Sequence, residues 1–132
     1  MKSLSILVVD DDLTTLKSFA QILEQNGYDV DTANTGHEAI EKCKNASYNL
    51  AILDVKLPDI DGTQLLKELE TINDSMIKIM VTGYGSVDSA LQSLLLRANA
   101  YVTKPVTPDE LLKAVSEALS ERQVRSHQYR NQ

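Results

Sequence analysis

The sequence lacks several features that define particular classes of protein. Its 132 residues include one cysteine, Cys43, which excludes an internal disulfide and a cysteine-based metal cage and favours a reducing compartment. No apolar run approaches the roughly 18 residues of a membrane span, and no signal-peptide core follows Met1. Positive charge is also scarce, since 13 Lys and Arg oppose 19 Asp and Glu. A net charge of −6 argues against direct binding to nucleic acid or membranes, and we expect one cytoplasmic domain.

Five short apolar runs alternate with amphipathic segments along the chain. This alternation is typical of an α/β protein in which helices cover both faces of a parallel sheet. Runs such as "LAIL" and "IKIMV" are mostly apolar, as expected for strands that are buried on both sides. The predicted strands are residues 5–9, 28–33, 50–53, 77–81 and 100–102.

Helix start and stop signals separate the predicted strands. Gly27 supplies the left-handed residue that ends the first helix, and Thr35 with Glu38 forms a capping box for the second. The third helix is predicted over residues 62–71, and Ser86 caps a fourth that buries Leu95. The motif "TPDE" at 107–110 starts the last helix. We assign residues 1–120 to the domain and 121–132 to a helix extension or the start of a linker.

Polar side chains follow four of the five predicted strands. In an open parallel sheet, ligands bind beyond the carboxyl ends of the strands, so these side chains are expected to converge. Each alone has an ordinary explanation as a helix cap, a turn residue or a solvated charge, and Asp12 is expected to be a cap. Their joint occurrence predicts a single site formed by Asp10, Asp11, Asp54, Thr82 and Lys104.

The chemistry of this set follows from its charges. Asp10, Asp11 and Asp54 provide the hard oxygen ligands that Mg²⁺ prefers. A carboxylate can also attack phosphorus to give an acyl phosphate. A metal ion and Lys104 would neutralise the phosphoryl oxygens, while the Thr82 hydroxyl donates a hydrogen bond to one of them. The set predicts phosphoryl transfer to an aspartate.

The motifs "ILVVDDD", "LDVKLPDIDG", "VTG" and "YVTKP" resemble those of the receiver domain of two-component response regulators. The resemblance runs from "ILVVDDD" to "ELLKAVSEAL" and implies a flavodoxin-like, doubly wound fold: a five-stranded parallel sheet in the order 2-1-3-4-5 with five helices. It implies Asp54 as the phospho-acceptor. It also implies Mg²⁺ bound directly by Asp11 and through water by Asp10, with Asp54 and the backbone carbonyl of Lys56 completing the site.

The same resemblance implies a switch and its partners. Thr82 is the switch hydroxyl, Lys104 contacts the phosphoryl group, and the Tyr101 rotamer follows Thr82. The phosphodonor is a sensor histidine kinase, a phosphotransfer protein or a small molecule. The surface of the fourth helix, fifth strand and fifth helix is expected to bind a second copy or an output, which could be a C-terminal domain of a longer protein. Leu96 and Arg97 are expected to contribute to that contact.

Several residues depart from the pattern of the family. Arg97 stands where a helix-ending glycine is usual, which leaves Asn99 as the candidate for a left-handed residue. Val106 stands where a phenylalanine is common, so we expect thinner packing there. Lys56 and Tyr84 lie two residues beyond Asp54 and Thr82 and are expected to tune the lifetime of the phosphate.

The main alternative is a haloacid-dehalogenase-like phosphatase, because "VVDDDLT" fits D-x-D-x-T with Asp10 as nucleophile and Asp12 as acid/base. Such enzymes need a further acidic metal-binding pair well after the lysine, which this sequence lacks, and Asp54 would have no role in them. A receiver that is never phosphorylated would not need the full set of site residues, and a flavodoxin would need a phosphate loop after the first strand. We therefore expect no enzyme activity beyond the chain's own aspartyl phosphorylation and dephosphorylation.

His37 and His127 are interpreted as isolated, solvated side chains, and Cys43 as part of the core.

Overall fold

Five parallel strands form a single sheet. The structure is a computed structural model that describes residues 3–83, 95 and 97–130, the last nine by their backbone alone. The order β2-β1-β3-β4-β5 confirms the predicted flavodoxin-like topology. The strands are β1 (Ser5–Val9), β2 (Asp29–Ala33), β3 (Leu50–Asp54), β4 (Ile77–Thr82) and β5 (Ala100–Thr103).

Four of the five predicted helices lie in the described residues. They are α1 (Leu13–Gln25), α2 (Gly36–Asn45), α3 (Gly62–Ile72) and the C-terminal helix (Pro108–Arg130). The helix predicted to start at Ser86 falls almost entirely outside the described residues. None of the helices in the described ranges is both long enough and apolar enough to cross a membrane.

Three of the described helices begin at caps that the sequence predicts. Asp12 is the N-cap of α1 and accepts a hydrogen bond from the Thr14 N–H at 3.0 Å. Thr35 caps α2 by accepting from the Glu38 N–H at 3.1 Å, but the Glu38 carboxylate accepts from the Asn34 N–H and not from that of Thr35, so the predicted capping box forms only in part. At the C-terminal helix, Thr107 and Glu110 bond reciprocally, as a capping box requires. These caps fix the residue at which each helix begins, and hence the end of the loop that connects it to the preceding strand.

The core lies on both faces of the sheet. Side chains alternate along each strand, so Leu7 and Val9 pack toward α2 and α3 while Ile6 and Val8 pack toward α1 and the C-terminal helix. Every residue of β3 and β4 is buried, as the apolar runs predict, whereas β5 at the sheet edge is only half-buried. Cys43 and Leu95 belong to the core, as expected.

Three further local expectations are corrected by the structure. Strand β2 starts at Asp29 and not at Tyr28, because the Tyr28 N–H still bonds to the Leu23 carbonyl at the end of α1. Asn99 is not left-handed, since no described residue other than glycine has a positive φ. Its side chain instead accepts from the Lys78 N–H at 2.8 Å, which leads the chain into β5 beside β4. Gly27, with φ 91°, does end α1 as predicted.

The third correction concerns His37, which is not isolated. Its side chain is 70% exposed, but the ring Nδ1 contacts the carboxylate of Asp59 in the loop between β3 and α3. The two residues are 22 positions apart in the chain.

Candidate functional site

Three carboxylates converge at the carboxyl ends of β1 and β3. Asp10, Asp11 and Asp54 each offer an oxygen, and these oxygens lie within 4.8 Å of one another. They meet because β1 and β3 are adjacent parallel strands with Val9 opposite Leu53, so the next residues of both strands share one edge. Asp10 and Asp54 are only 2% and 6% exposed, whereas Asp11 faces solvent.

Backbone donors orient the two buried carboxylates. Asp10 accepts from the Asp12 N–H at 2.9 Å through Oδ1, and Asp54 accepts from the Lys56 N–H at 3.2 Å through its own Oδ1. The Asp10 N–H in turn bonds to the Ala33 carbonyl at the end of β2 at 3.2 Å. The backbone contacts therefore leave the Oδ2 atoms of Asp10 and Asp54 for other partners.

Lys104 reaches both of those oxygens. Its Nζ lies 3.2 Å from Asp10 Oδ2 and 3.6 Å from Asp54 Oδ2. The loop after β5 is held at this edge because the Lys104 N–H donates to the Thr82 carbonyl at 2.8 Å. Thr82 is buried at the end of β4 and pairs with Thr103 in register. The structure thus brings the five predicted residues to one edge of the sheet.

The charges in this site are not balanced. Burial raises the pKa of Asp54, and the charges of Asp10 and Asp11 raise it further, although the Lys56 N–H and the Lys104 ammonium act in the opposite direction. Burial would lower the pKa of Lys104, but Asp54 and Asp10 outweigh that effect and raise it. Three carboxylates and one ammonium leave a formal charge of −2. A divalent cation with a preference for oxygen ligands, such as Mg²⁺, fits this donor set.

The other predicted residues lie around this cluster. Lys56 has an exposed side chain, and its backbone forms an isolated antiparallel bridge with Asp61. Tyr101 lies on the edge strand β5 and is 56% exposed. Arg97 is exposed and forms an ion pair with Glu70 of α3 at 3.5 Å. Tyr84 and Leu96 lie outside the described residues, as does the side chain of His127.

Two features near the site were not predicted from the sequence. A surface groove of about 520 Å³ lies beside Lys104, and it runs between α1 and the loop that carries Val106. Its walls are Thr14, Thr15, Ser18, Phe19, Lys104, Pro105 and Val106. The second feature is the contact of Asp59 with the start of α2. Val106, where the sequence predicts thinner packing, lines the groove, whereas no sequence signal indicates the partners of Asp59.

The chain matches a family model and several known proteins. The model described as the response regulator receiver domain matches residues 6–116. The transcriptional regulatory protein ZraR of Klebsiella oxytoca is 37% identical over 119 residues, which are 90% of this chain and 27% of that protein. ZraR of Escherichia coli K12 is 33% identical over 118 residues and again 27% of its length is covered. The chain therefore spans about a quarter of the length of these relatives.

Solved structures show the same fold. A CheY-like response regulator receiver domain protein from Methanospirillum hungatei JF-1 is 44% identical, with a TM-score of 0.85 over 94% of this chain and 99% of that one. NtrX from Brucella abortus is 25% identical, with a TM-score of 0.89 over 99% of this chain and 30% of that one. The family model covers most of the sequence, and the fold agrees over nearly its whole length. This chain belongs to the family of response regulator receiver domains.

Proposed function

We propose that the chain accepts a phosphoryl group on Asp54 and passes the change on to an output surface. The observation that supports this most directly is the cluster of Asp10, Asp11 and Asp54 within 4.8 Å, with Lys104 at 3.2 and 3.6 Å from two of them. Phosphoryl transfer depends on placing positive charge around the transferred oxygens, and this cluster joins a carboxylate nucleophile to such charges.

In the proposed reaction, an oxygen of Asp54 forms a bond to phosphorus as the bond between phosphorus and the donor breaks. The leaving group keeps the electron pair, and the product is an acyl phosphate on Asp54. Oδ2 is the favoured nucleophile, because Oδ1 is held by the Lys56 N–H and Oδ2 faces Lys104. The reactive form is the ionised carboxylate, which Lys104 favours against the effect of burial.

The residues that would hold Mg²⁺ are Asp10, Asp11, Asp54 and the backbone carbonyl of Lys56. When bound, the ion supplies positive charge that offsets the repulsion among the carboxylates and the charge on the phosphoryl oxygens. Lys104 lies 3.6 Å from Asp54 Oδ2, so a phosphoryl group formed there would be within reach of its ammonium. Thr82 ends the neighbouring strand β4. Its hydroxyl would donate a hydrogen bond to an oxygen of the phosphoryl group.

The proposed output is the surface that contains β5. Tyr101 is more than half exposed on this edge strand, and a change in its rotamer would alter the surface offered to a partner. We propose a sensor histidine kinase or a phosphotransfer protein as donor. We propose that this surface contacts an output domain that regulates transcription, because the similar proteins named transcriptional regulatory proteins are much longer than this chain. The alternative partner is a second copy of the domain.

The proposal is tested by locating the acyl phosphate. The protein is incubated with acetyl phosphate and Mg²⁺, reduced with borohydride to trap the aspartyl phosphate, and mapped by peptide mass spectrometry. We expect the modification at Asp54 and its loss in Asp54→Asn. The matched control, Asp29→Asn, removes an exposed carboxylate of β2 and should be modified normally.

Two outcomes would overturn the proposal. Modification at Asp10 would indicate the chemistry of a haloacid-dehalogenase-like phosphatase. Absence of modification at Asp54, with either acetyl phosphate or a phosphorylated histidine kinase as donor, would leave the chain as a receiver that acts only through protein contacts.

A further inference from the structure

We propose that Asp59 is a positioning residue that fixes the loop between β3 and α3 and thereby places the Lys56 carbonyl for the metal ion. The inference rests on the proposed function, because it assigns Asp59 a role in binding Mg²⁺. Asp59 itself contacts none of the three clustered carboxylates in the described contacts. Its effect on the site is exerted through the loop.

The carboxylate of Asp59 caps a helix that is distant in the chain. Oδ1 accepts from the Gly36 N–H at 3.0 Å, and Oδ2 accepts from the His37 N–H at 2.9 Å and contacts His37 Nδ1. Gly36 and His37 are the first two residues of α2, whose N–H groups have no partner within the helix. Such bonds to a carboxylate are strengthened by its charge and by the helix dipole.

The hydrogen bonds keep Asp59 ionised. Partial burial would raise its pKa, but the bonds from His37 and Gly36 outweigh burial and lower the pKa from 3.8 to about 2. The side chain of Asp59 is 22% exposed. The carboxylate of Asp59 is therefore ionised at neutral pH.

The adjacent residue makes a second contact with the same helix. Ile60 packs against the core, and its side chain lies so close to Gly36 that a Cβ added there would clash with Ile60 Cγ2. Glycine at this position permits the close approach of the loop to α2. Two consecutive residues of the loop are thus fixed to one helix, one by polar contacts and the other by packing.

The loop is short enough to transmit this attachment to Lys56. Lys56 and Asp61 form an antiparallel bridge, so residues 57–60 make up the tip of the loop. At its base, the Lys56 N–H bonds to Asp54 and the Asp61 carboxylate accepts from the Thr63 N–H of α3 at 2.7 Å. Without the Asp59 carboxylate, only the packing of Ile60 would hold the tip against α2. The Lys56 carbonyl belongs to the peptide bond that leads into the tip, so a shift of the tip would change the orientation of this carbonyl even though the base remains. Groups behind the ligands tune metal affinity in this way.

The test separates metal affinity from the rate at saturating metal. Calorimetry with Mg²⁺ alone gives the affinity, and phosphorylation by acetyl phosphate at increasing Mg²⁺ gives the rate. For Asp59→Ala we expect an affinity about tenfold weaker, the lower end of the effect of removing such groups, and an unchanged rate at saturating Mg²⁺. Asp59→Asn keeps a carbonyl oxygen and should restore part of the affinity. Asp29→Ala makes the same change in net charge on β2 and should bind Mg²⁺ like the wild type.

The possible failures can be told apart. If Asp59→Ala binds Mg²⁺ as tightly as the wild type while Asp54 is still phosphorylated, the inference is wrong and the proposed function stands. If the wild type binds Mg²⁺ but is not phosphorylated on Asp54, the proposed function is wrong. The difference in Mg²⁺ affinity between the wild type and Asp59→Ala still tests the role of Asp59. If the wild type does not bind Mg²⁺, both are overturned. Should Asp59→Ala fail to fold, Asp59→Asn and His37→Ala take its place, and both should bind Mg²⁺ more weakly than the wild type. Wild-type affinity in both variants would overturn the inference.

Discussion

Replacing Lys104 with methionine should destabilise the metal-free protein, because its ammonium faces two buried carboxylates. The Nζ atom lies 3.2 Å from Asp10 Oδ2 and 3.6 Å from Asp54 Oδ2, and these acidic side chains are only 3% and 8% exposed. Methionine is unbranched and similar in length, so it can still line the groove beside Phe19. The substitution therefore removes mainly the charge.

The expected loss follows from these distances. With an effective dielectric constant of about 20, each contact corresponds to roughly 5 kcal/mol of Coulomb attraction. Desolvation of the charged groups offsets most of this attraction, and one third of the Lys104 side chain remains exposed to solvent screening. Breaking a fully buried pair costs about 3–5 kcal/mol, so we expect a loss of about 2–3 kcal/mol here.

The raised pKa of Lys104 also indicates that its ammonium stabilises the folded protein. Burial opposes its charge, but Asp54 and Asp10 raise the pKa above that of an unfolded lysine. The stabilisation is therefore fully present below the pKa of the unfolded side chain. It is lost only as the pH rises through the higher pKa of the folded state.

Urea denaturation followed by circular dichroism measures the loss at neutral pH in the presence of a chelator. The matched control is Lys113→Met, which breaks an exposed pair with Glu117 in which the atoms are 4.0 Å apart. Because both side chains are well over half exposed, the control should lose at most about 0.5 kcal/mol. Added Mg²⁺ should reduce the difference in the free energy of unfolding between Lys104→Met and the wild type, because the variant has the larger excess of negative charge at the site.

Two results would refute this reasoning. An equal loss of stability in Lys104→Met and Lys113→Met would mean that the buried carboxylates do not depend on the ammonium. If Mg²⁺ leaves the difference in the free energy of unfolding unchanged, the ion does not bind among the same carboxylates.

Two further substitutions test local contacts. Asp12→Ala removes the N-cap of α1 and should cost about 1 kcal/mol in urea denaturation; Mg²⁺ affinity measured by calorimetry should not change, and a weaker affinity would make Asp12 a metal ligand. Gly36→Ala should cost about 1–3 kcal/mol in the same denaturation assay because the new Cβ meets Ile60; wild-type stability would show that the loop can move away from α2 without penalty.

The sheet and the cluster of carboxylates could be predicted because both depend on short-range patterns. An apolar run ends where its strand leaves the core, so the next polar residue marks the carboxyl end. Parallel strands bring these ends to one edge, which is why Asp10 and Asp54 meet although they are far apart in the chain. The helix starts at Thr35 and Thr107 were predictable for a similar reason, since each threonine accepts a hydrogen bond from the N–H only three residues later.

Contacts between loops could not be predicted in this way. Asp59 and Gly36 are 23 positions apart, and they meet only because of how α2 and the loop before α3 pack on the same face of the sheet. Neither periodicity nor capping signals encode that distance. Asn99 was misassigned because its partner, Lys78, belongs to another strand. In each case the deciding partner is fixed by tertiary packing, whereas the sequence pattern reports local conformation.

The bond between Lys104 and Asp10 joins residues that are 94 positions apart. It requires β5 to lie beside β4, just as the meeting of Asp10 with Asp54 requires β1 to lie beside β3. Without β5, Asp10 and Asp54 would lack their cationic partner, and burying them would carry a penalty. A sheet without its edge strand would therefore have the clustered carboxylates but not the ammonium, so the charge arrangement of the site depends on the complete sheet.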